Sequence, residues 1–351
     1  MDSDRPRRPT LDTVASAVGV SRATVSNAYN RPDQLSASLR TRILETARSL
    51  GYAGPDPVAR SLATRQNLAV GVMLPQSLSG AFSDPALSIV LDGLSSTLDD
   101  HSLVLMPGGP SPSMVARAQA DVLVAYSLPS AAAAFDAVGP RGLVVIDQPV
   151  LPGVSRVFID DYAGARSAAA HLLALGHRRF GILTFALHPD GFRGPADHLR
   201  RSDIPFRVSR DRLTGYLDAL ENGGVTPENV PVWEASGSDR ELGREGARWM
   251  LTRTPRPSAL LCASDQLAFG ALQAARDLGL SVPGDLSVVG FDDVPEASVS
   301  DPPLTTVRQP LAEKGRVAGR LALKLLAGAR PPRPARLDVS LVSRASCAPQ
   351  E

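Results

Sequence analysis

LDTVASAVGVSRATVSNAY, residues 11–29, sets two short amphipathic patterns around a tight break. Thr10 stands where an N-cap belongs, before a helix running to about Val18 with Leu11, Val14, Ala15 and Val18 on one face. Gly19 supplies the permissive backbone of the turn, and Ser21 caps a second helix from Arg22 to about Tyr29. Ala15 is small where the helices must approach, and Val20 and Val25 fill the angle between them. That is helix-turn-helix spacing. The second helix then presents Arg22, Ala23, Thr24, Ser26 and Asn27. Arginine matches guanine bidentately, asparagine matches adenine, and alanine meets a thymine methyl. Ser21, Ser26, Arg31, Arg40 and Arg42 suit phosphates, and Thr10 is grouped with this DNA-facing set. A purely structural three-helix cap with a solvated polar face is the alternative. A third helix is expected from about Ser36 to Leu50, with Leu39, Ile43, Ala47 and Leu50 as its stripe and Gly51 as its stop.

Charge supports the same reading. Residues 1–66 hold ten arginines, no lysine and six acidic side chains, a surplus of four positive charges. The rest of the 351-residue chain carries 27 basic and 30 acidic side chains, so a basic head joins a slightly acidic body. Lys314 and Lys324 are the only lysines. The apolar runs fall short of a membrane span, and no charged-then-apolar export signal opens the sequence. Two cysteines, Cys262 and Cys347, make neither a disulfide framework nor a cysteine zinc site. A cytoplasmic protein follows.

Outward from the head, residues 1–9 read as a flexible arm and 10–56 as the DNA-binding domain. YAGPDPVARSLATRQN follows, a linker with one short apolar face of Val58, Ala59 and Leu62. It holds one marginal helix over about 57–66. From Leu68 the texture alternates. LAVGVML, SLVLM, DVLVAY and GLVVID read as buried parallel strands, with PALSIVLDGLSSTLDD a helix among them. A second series runs from RVFID through RFGILTF, PVWEA, SALLCAS and LSVVGFDD, with AGARSAAAHLLALGH, RDRLTGYLDALENGG, SDRELGREGARWMLTR and DQLAFGALQAARDLGL as its helices. The helix LAEKGRVAGRLALKLLAG and a last strand, LDVSLVSR, complete the body. Two runs of β-α units imply two doubly wound parallel sheets.

TLDTVASAVGVSRATVSNAYN, then VARSLATRQ, LGHRRFGIL, RLTGY, SDQLAFGAL, SVVGFDD and PPLTTVRQP in this order resemble the lactose-repressor (LacI/GalR) family of bacterial transcription regulators over nearly the whole chain. The resemblance implies an α/β protein with an all-α head, a hinge helix and a periplasmic-binding-protein-like body, residues 67–351. Its first lobe is expected at about 67–160 and 309–336, its second at about 161–308 and 337–346. It implies operator DNA and a small-molecule effector, sugar-like, as partners of a homodimer. It puts Leu62 as a wedge into the minor groove at the dyad, with Val58 and Ala59 on the same face. A wedge unstacks a base step and bends the duplex. Without the family, Leu62 is a linker hydrophobe resting on the body.

The effector is expected where strand carboxyl ends meet between the lobes. The resemblance places Asp147, Arg212, Ser264 and Asp292 there, with Asp265 beside them and Phe82 of SGAFSDP stacking on the ligand. ASGSD, residues 235–239, adds a second wall, and Arg212 is read as opening its helix. Asp265 and Asp293 are otherwise helix caps, Arg212 otherwise a partner of Asp292, and Phe82 otherwise core. The loop lacks the family's Asn-Pro-Phe-Phe form, and HPDGFRGPADHLRRSDIPFRVSR is long and Arg-rich, so effector identity does not carry over. Helices near 86–98 and 267–279 are the expected dimer faces, and no heptad tail follows to make a tetramer. No phosphate loop, GxGxxG, GxSxG or HExxH occurs, so no enzyme, cofactor or metal is expected. The alternative function is a solute-binding protein or sensor that does not act on DNA.

Overall fold

A computed structural model of the chain describes residues 9–30, 34–50, 52, 68–98, 101–109, 111–117, 120–130, 132–139 and 142–350. Arg31, and the segment 57–66 with Val58, Ala59 and Leu62, lie outside the described residues. The chain divides into two units, Met1–Asn67 and Leu68–Glu351.

In the first unit, α1 (Leu11–Val18), α2 (Arg22–Asn30) and α3 (Ala37–Ser49) enclose a small core. Val14, Ala15, Val25, Ala28, Ile43 and Ala47 are buried in it, with Leu11, Val18, Val20 and Leu39 packed around them. Gly19 ends α1 in the left-handed region at φ 74°, and its N–H donates to Ala15. A side chain with a Cβ would be strained there, so the break between the helices is a backbone requirement.

The second unit begins with β1 (Ala69–Met73), β2 (Ser102–Met106), β3 (Val122–Tyr126), β4 (Leu143–Ile146) and β5 (Ser155–Ile159). Helices α4 (Leu78–Ser83), α5 (Pro85–Ser95), α6 (Pro112–Arg117) and α7 (Ala132–Val138) lie between them. Next come α8 (Asp161–Ala174), β6 (Phe180–Thr184), β7 (Gly194–Pro195), α9 (Arg207–Asn222), β8 (Val232–Glu234), α10 (Arg240–Leu251), β9 (Ala259–Cys262), α11 (Asp265–Asp277), β10 (Ser287–Asp292) and β11 (Thr305–Arg308). The chain ends with α12 (Leu311–Leu326), β12 (Ala335–Leu337) and β13 (Ser340–Val342). One sheet has the order β12-β5-β4-β3-β1-β2 and the other β13-β11-β10-β9-β6-β8-β7. The first is parallel throughout. The second has antiparallel pairs only at its edges. Every residue of β4, β9 and β10 is buried, as expected of parallel strands covered on both faces.

Two features depart from expectation. LDVSLVSR is not one strand: Leu337 ends β12 beside β5, while Ser340 begins β13 beside β11. The chain changes sheet between them. Helix α9 starts at Arg207, so Arg212 lies in its second turn instead of opening it. The residue before α9, Phe206, has no capping side chain; Gln148, from the end of β4, accepts the Val208 N–H at 2.9 Å instead. That cap comes from the other sheet's side of the molecule, which local spacing cannot show. Within the second unit, α11 is buried on most of its surface by its own chain, including Leu267, Phe269, Ala271 and Leu272, leaving Arg276 and Asp277 exposed. Its neighbour is α10, and Gly243 and Gly270 let the two backbones meet: a Cβ on either glycine would strike the other helix. Helix α5 is similarly docked on α12 through Gly93 and Gly315.

Candidate functional site

The head presents its polar set on one helix. Arg22 and Ala23 are exposed, and Thr24, Ser26 and Asn27 are half-buried. Ser21 Oγ accepts the Thr24 N–H at 3.1 Å and lies 2.8 Å from the Thr24 hydroxyl, so it closes the first turn of α2. Arg22 pairs loosely with Asp12 at 3.5 Å, and Asn27 donates to Gln34 at 3.3 Å. Thr10 is half of a capping box with Thr13, so its hydroxyl already serves α1. Arg40 Nε donates to the Ala28 carbonyl and Arg42 to the Val18 carbonyl. These two arginines fasten helix ends, a use that charge counting does not reveal.

In the body, the strand carboxyl ends of the two sheets border a cleft of about 790 Å³. Asp147, Arg212, Ser264 and Asp292 all line it, as do Ser236, Gly237, Ser238 and Asp239 of the ASGSD segment. A second hollow of about 560 Å³ lies on the outer face between α8 and α9 and shares no residue with this group.

Arg212 organises the second-lobe side. Its Nε donates to Asp161 Oδ1 at 2.8 Å and its Nη1 to the Ala263 carbonyl at 2.6 Å. The guanidinium lies over the Phe291 ring at 3.6 Å. Asp292 stands farther off, at 3.6 Å, so the tight partner is Asp161 and not Asp292. Burial opposes the Arg212 charge, yet Asp161 and Asp292 outweigh it and raise its pKa. Burial pushes the Asp292 carboxyl up to about 7, against the pull of Arg212.

Lys314, from α12, organises the first-lobe side. Its Nζ donates to both Asp147 oxygens, at 2.8 and 3.0 Å, and to Gln309 Oε1 at 2.6 Å. Gln309 Nε2 in turn donates to Asp292 Oδ1 at 2.6 Å. One chain of bonds thus links Asp147 to Asp292 through the crossing between lobes. Both carboxylates sit on unusual backbone: φ is 62° at Asp147 and 126° at Asp292, with Asp293 at 58°. Non-glycine residues in this region store about 1–3 kcal/mol each and concentrate at ligand sites.

Two expected site residues are not at the cleft. Phe82 on α4 is 68% exposed and absent from the lining, so it is neither a wall nor core; its neighbours Gly80, Ser83 and Asp84 line the cleft instead. The helix turn between Ser79 and Ser83 sends Phe82 the other way. Asp265 is fully buried, accepting the Thr306 hydroxyl at 2.5 Å and the Val294 N–H at 2.9 Å. It ties α11 to β11 and to the segment that follows β10, behind the cleft, and burial raises its pKa well above the usual range. The helix cap is Ser264, which accepts the Leu267 N–H. Asp293 is no cap either, since it holds Arg308 and Arg344.

Sequence reasoning missed Asp84, Gln148, Asp161, Gln309 and Lys314. Asp84-Pro85 ahead of an apolar run was a legible cap signature, and Asp84 does cap α5. Lys314 lay in the core stripe of a helix, where a lone lysine demands a partner. Among the described residues, no three His, Cys, Asp or Glu side chains are grouped to hold a metal, and no helix is long and apolar enough to cross a membrane.

Comparison with known proteins accounts for both units. Residues 10–54 match the model for bacterial regulatory proteins of the lacI family, and residues 169–347 match a periplasmic binding protein-like domain. The HTH-type transcriptional regulator Rv3575c of Mycobacterium tuberculosis is 44% identical over 91% of each chain. The chain belongs to the lacI family. Among solved structures, this lacI-family chain is similar to the lac repressor dimer bound to operator and the anti-inducer ONPF, with TM-score 0.74, 28% identity and coverage of 97% of this chain and 100% of that one. It is also similar to the regulator CelR in complex with cellobiose, with TM-score 0.66, 28% identity and the same coverage. This chain is therefore a DNA-binding transcriptional regulator with an effector-binding body.

Proposed function

We propose that the chain is a repressor acting as a homodimer in the bacterial cytoplasm, by binding and not by catalysis. Each head reads a half-site through Arg22, Ala23, Thr24, Ser26 and Asn27, with Ser21 and Arg31 on phosphates. The segment 57–66 from each protomer meets at the centre, where Leu62, flanked by Val58 and Ala59, wedges a base step. A sugar or sugar derivative between the lobes contacts Asp147, Arg212, Ser264 and Asp292. It changes the angle of the lobes and so the grip of the heads.

The observation that carries this is the junction of a helix-turn-helix head to a body whose polar cleft is bridged by a single bonded chain, Asp147–Lys314–Gln309–Asp292. A ligand that engages either carboxylate perturbs a link between lobes, which is what coupling two sites requires. A coupling of about 1–3 kcal/mol shifts operator affinity roughly 5- to 150-fold. The test is fluorescence anisotropy of the full chain on upstream DNA fragments across a salt series, with and without saturating sugars. Specific binding with a steep salt slope and a sugar-dependent affinity is expected; salt-insensitive or sequence-blind binding would refute it.

A further inference from the structure

The charge balance around the cleft points to the class of molecule it accepts. Four carboxylates line it, Asp84, Asp147, Asp239 and Asp292, against two arginines, Arg212 and Arg240. Both arginines already have carboxylate partners. Arg212 is held by Asp161 and the Ala263 carbonyl. Arg240, at the rim, donates to both oxygens of Glu296 at 2.9 and 2.7 Å. Behind the lining, Lys314 is 2% exposed and directs its ammonium to Asp147 and Gln309.

Among the remaining lining groups, Gln266 presents a buried amide nitrogen with no partner among the described residues, a donor suited to a ligand hydroxyl oxygen, and His188 adds an acceptor. His188 lines the same cleft and its Nε2 pairs with the Arg200 carbonyl at 2.9 Å. A carbonyl only accepts, so Nε2 carries the proton, and in the neutral ring Nδ1 is left an acceptor. The long segment that supplies His188 is itself clamped: Arg200 bonds the fully buried Glu234 at 2.7 and 2.9 Å and stacks on Phe192 at 4.0 Å. The Arg200 charge is therefore taken up by Glu234 and by Asp190, which it bonds at 2.9 Å.

We propose that the cleft takes an uncharged polyhydroxylated ligand and excludes phosphorylated or carboxylated ones, with the pairs Lys314–Asp147 and Arg212–Asp161 imposing that choice. The inference rests on the reading of the cleft as the effector site and narrows it. A hydroxyl-rich ligand supplies donors to the carboxylates and to His188. An anion meets carboxylates first, and the charge of each nearby cation is already balanced by a carboxylate.

The test uses thermal unfolding of the full chain. Free pentoses, hexoses, disaccharides and acyclic polyols are compared with their phosphate esters and with inorganic phosphate. At least one uncharged compound is expected to raise Tm, its phosphate ester to bind roughly 100-fold more weakly or not at all, and inorganic phosphate to leave Tm unchanged. Asp161→Asn and Asp147→Asn each release a cation, so in either folded variant inorganic phosphate is expected to become stabilising. The proposal is overturned if an ester binds as tightly as its parent, if no uncharged compound binds, or if the folded variants ignore phosphate. Operator binding, measured on the same samples, separates the two readings. A chain that binds a free sugar but no DNA refutes the regulator and spares the ligand class; one that grips its operator and answers to a phosphate ester does the reverse.

Discussion

Arg22 and Arg212 are both arginines near the start of a helix that faces a binding surface, and their surroundings are opposite. Arg22 is 68% exposed and meets Asp12 at 3.5 Å, a surface pair of small worth. Arg212 is 6% exposed, holds Asp161 at 2.8 Å and lies on Phe291. The first can exchange its partner for a base edge at little cost. The second cannot move without leaving a buried carboxylate unpaired. Binding a polyanion needs cations that are already in water, because affinity comes largely from released counterions. Holding a small neutral molecule needs the reverse, a polar frame fixed beforehand so that little ordering remains to be done.

The contrast breaks first under truncation. Arg212→Ala strands Asp161 in the interior, and losing one partner of a buried pair costs about 3–5 kcal/mol. A fall in the urea midpoint of the body and a lost ligand response are expected together, read by circular dichroism and calorimetric titration. Arg22→Ala is expected to leave the midpoint within about 0.5 kcal/mol, as exposed sites do. Equal destabilisation by both changes would erase the distinction between the two arginines.

Acid-base behaviour gives the next effect. Burial pushes Asp292 up to about 7, whereas an unfolded aspartate titrates near about 3.9. The folded chain thus retains a proton that the unfolded chain has released. The resulting stabilisation is complete below about pH 4 and is lost as the pH climbs through 7. Asp292→Asn is expected to flatten the stability profile between those values, measured by denaturant unfolding at a series of pH values. A ligand that donates hydroxyls prefers the ionised carboxylate, so affinity should climb over the same interval. Stability that rises with pH there, or an unchanged slope in the variant, would count against a buried, proton-holding Asp292.

What the sequence showed and hid follows the same division. The head was legible because its instructions are local: Thr10, Gly19 and Ser21 act within three or four residues of where they stand. The two sheets were legible because parallel strands bury both faces and read as unbroken apolar runs, as in Leu143–Ile146. The cleft was half legible. Strand-end residues Asp147, Ser264 and Asp292 announced themselves by position. Their partners did not, since Lys314 lies 167 residues from Asp147 and Arg212 lies 51 from Asp161, and no spacing rule spans such gaps. Phe82 was misplaced for a related reason: a short helix turns one side chain in and the next out, and composition cannot say which.

Base recognition is expected to show a smaller effect. Arg22→Ala should relax preference at one operator position by about 1–3 kcal/mol while leaving other positions unchanged, as measured by competition with single-base operator variants. Uniform losses across all sequences would make Arg22 a phosphate contact. Leu62→Ala should weaken specific operator binding and leave ligand binding intact; unaltered operator affinity would remove the wedge.

The smallest change sharpens the comparison most. Thr10 caps α1 and accepts the Thr13 N–H at 3.4 Å, while its own N–H donates to the Thr13 hydroxyl at 3.1 Å. In the body, Ser264 caps α11 in the same way, at 3.3 Å from the Leu267 nitrogen, but is itself held by Ser238 at 2.8 Å. Thr10→Ala is expected to cost about 1 kcal/mol of helix stability, seen as faster amide exchange over residues 11–18, and to weaken binding to all DNA sequences alike. Thr10→Ser keeps the hydroxyl and should restore both. If exchange is unaffected and only DNA affinity drops, Thr10 serves the duplex directly and the cap is incidental. Ser264→Ala then provides the control within the cleft, where losing the same kind of cap should change ligand affinity as well, because there the capping hydroxyl belongs to the wall that the ligand meets.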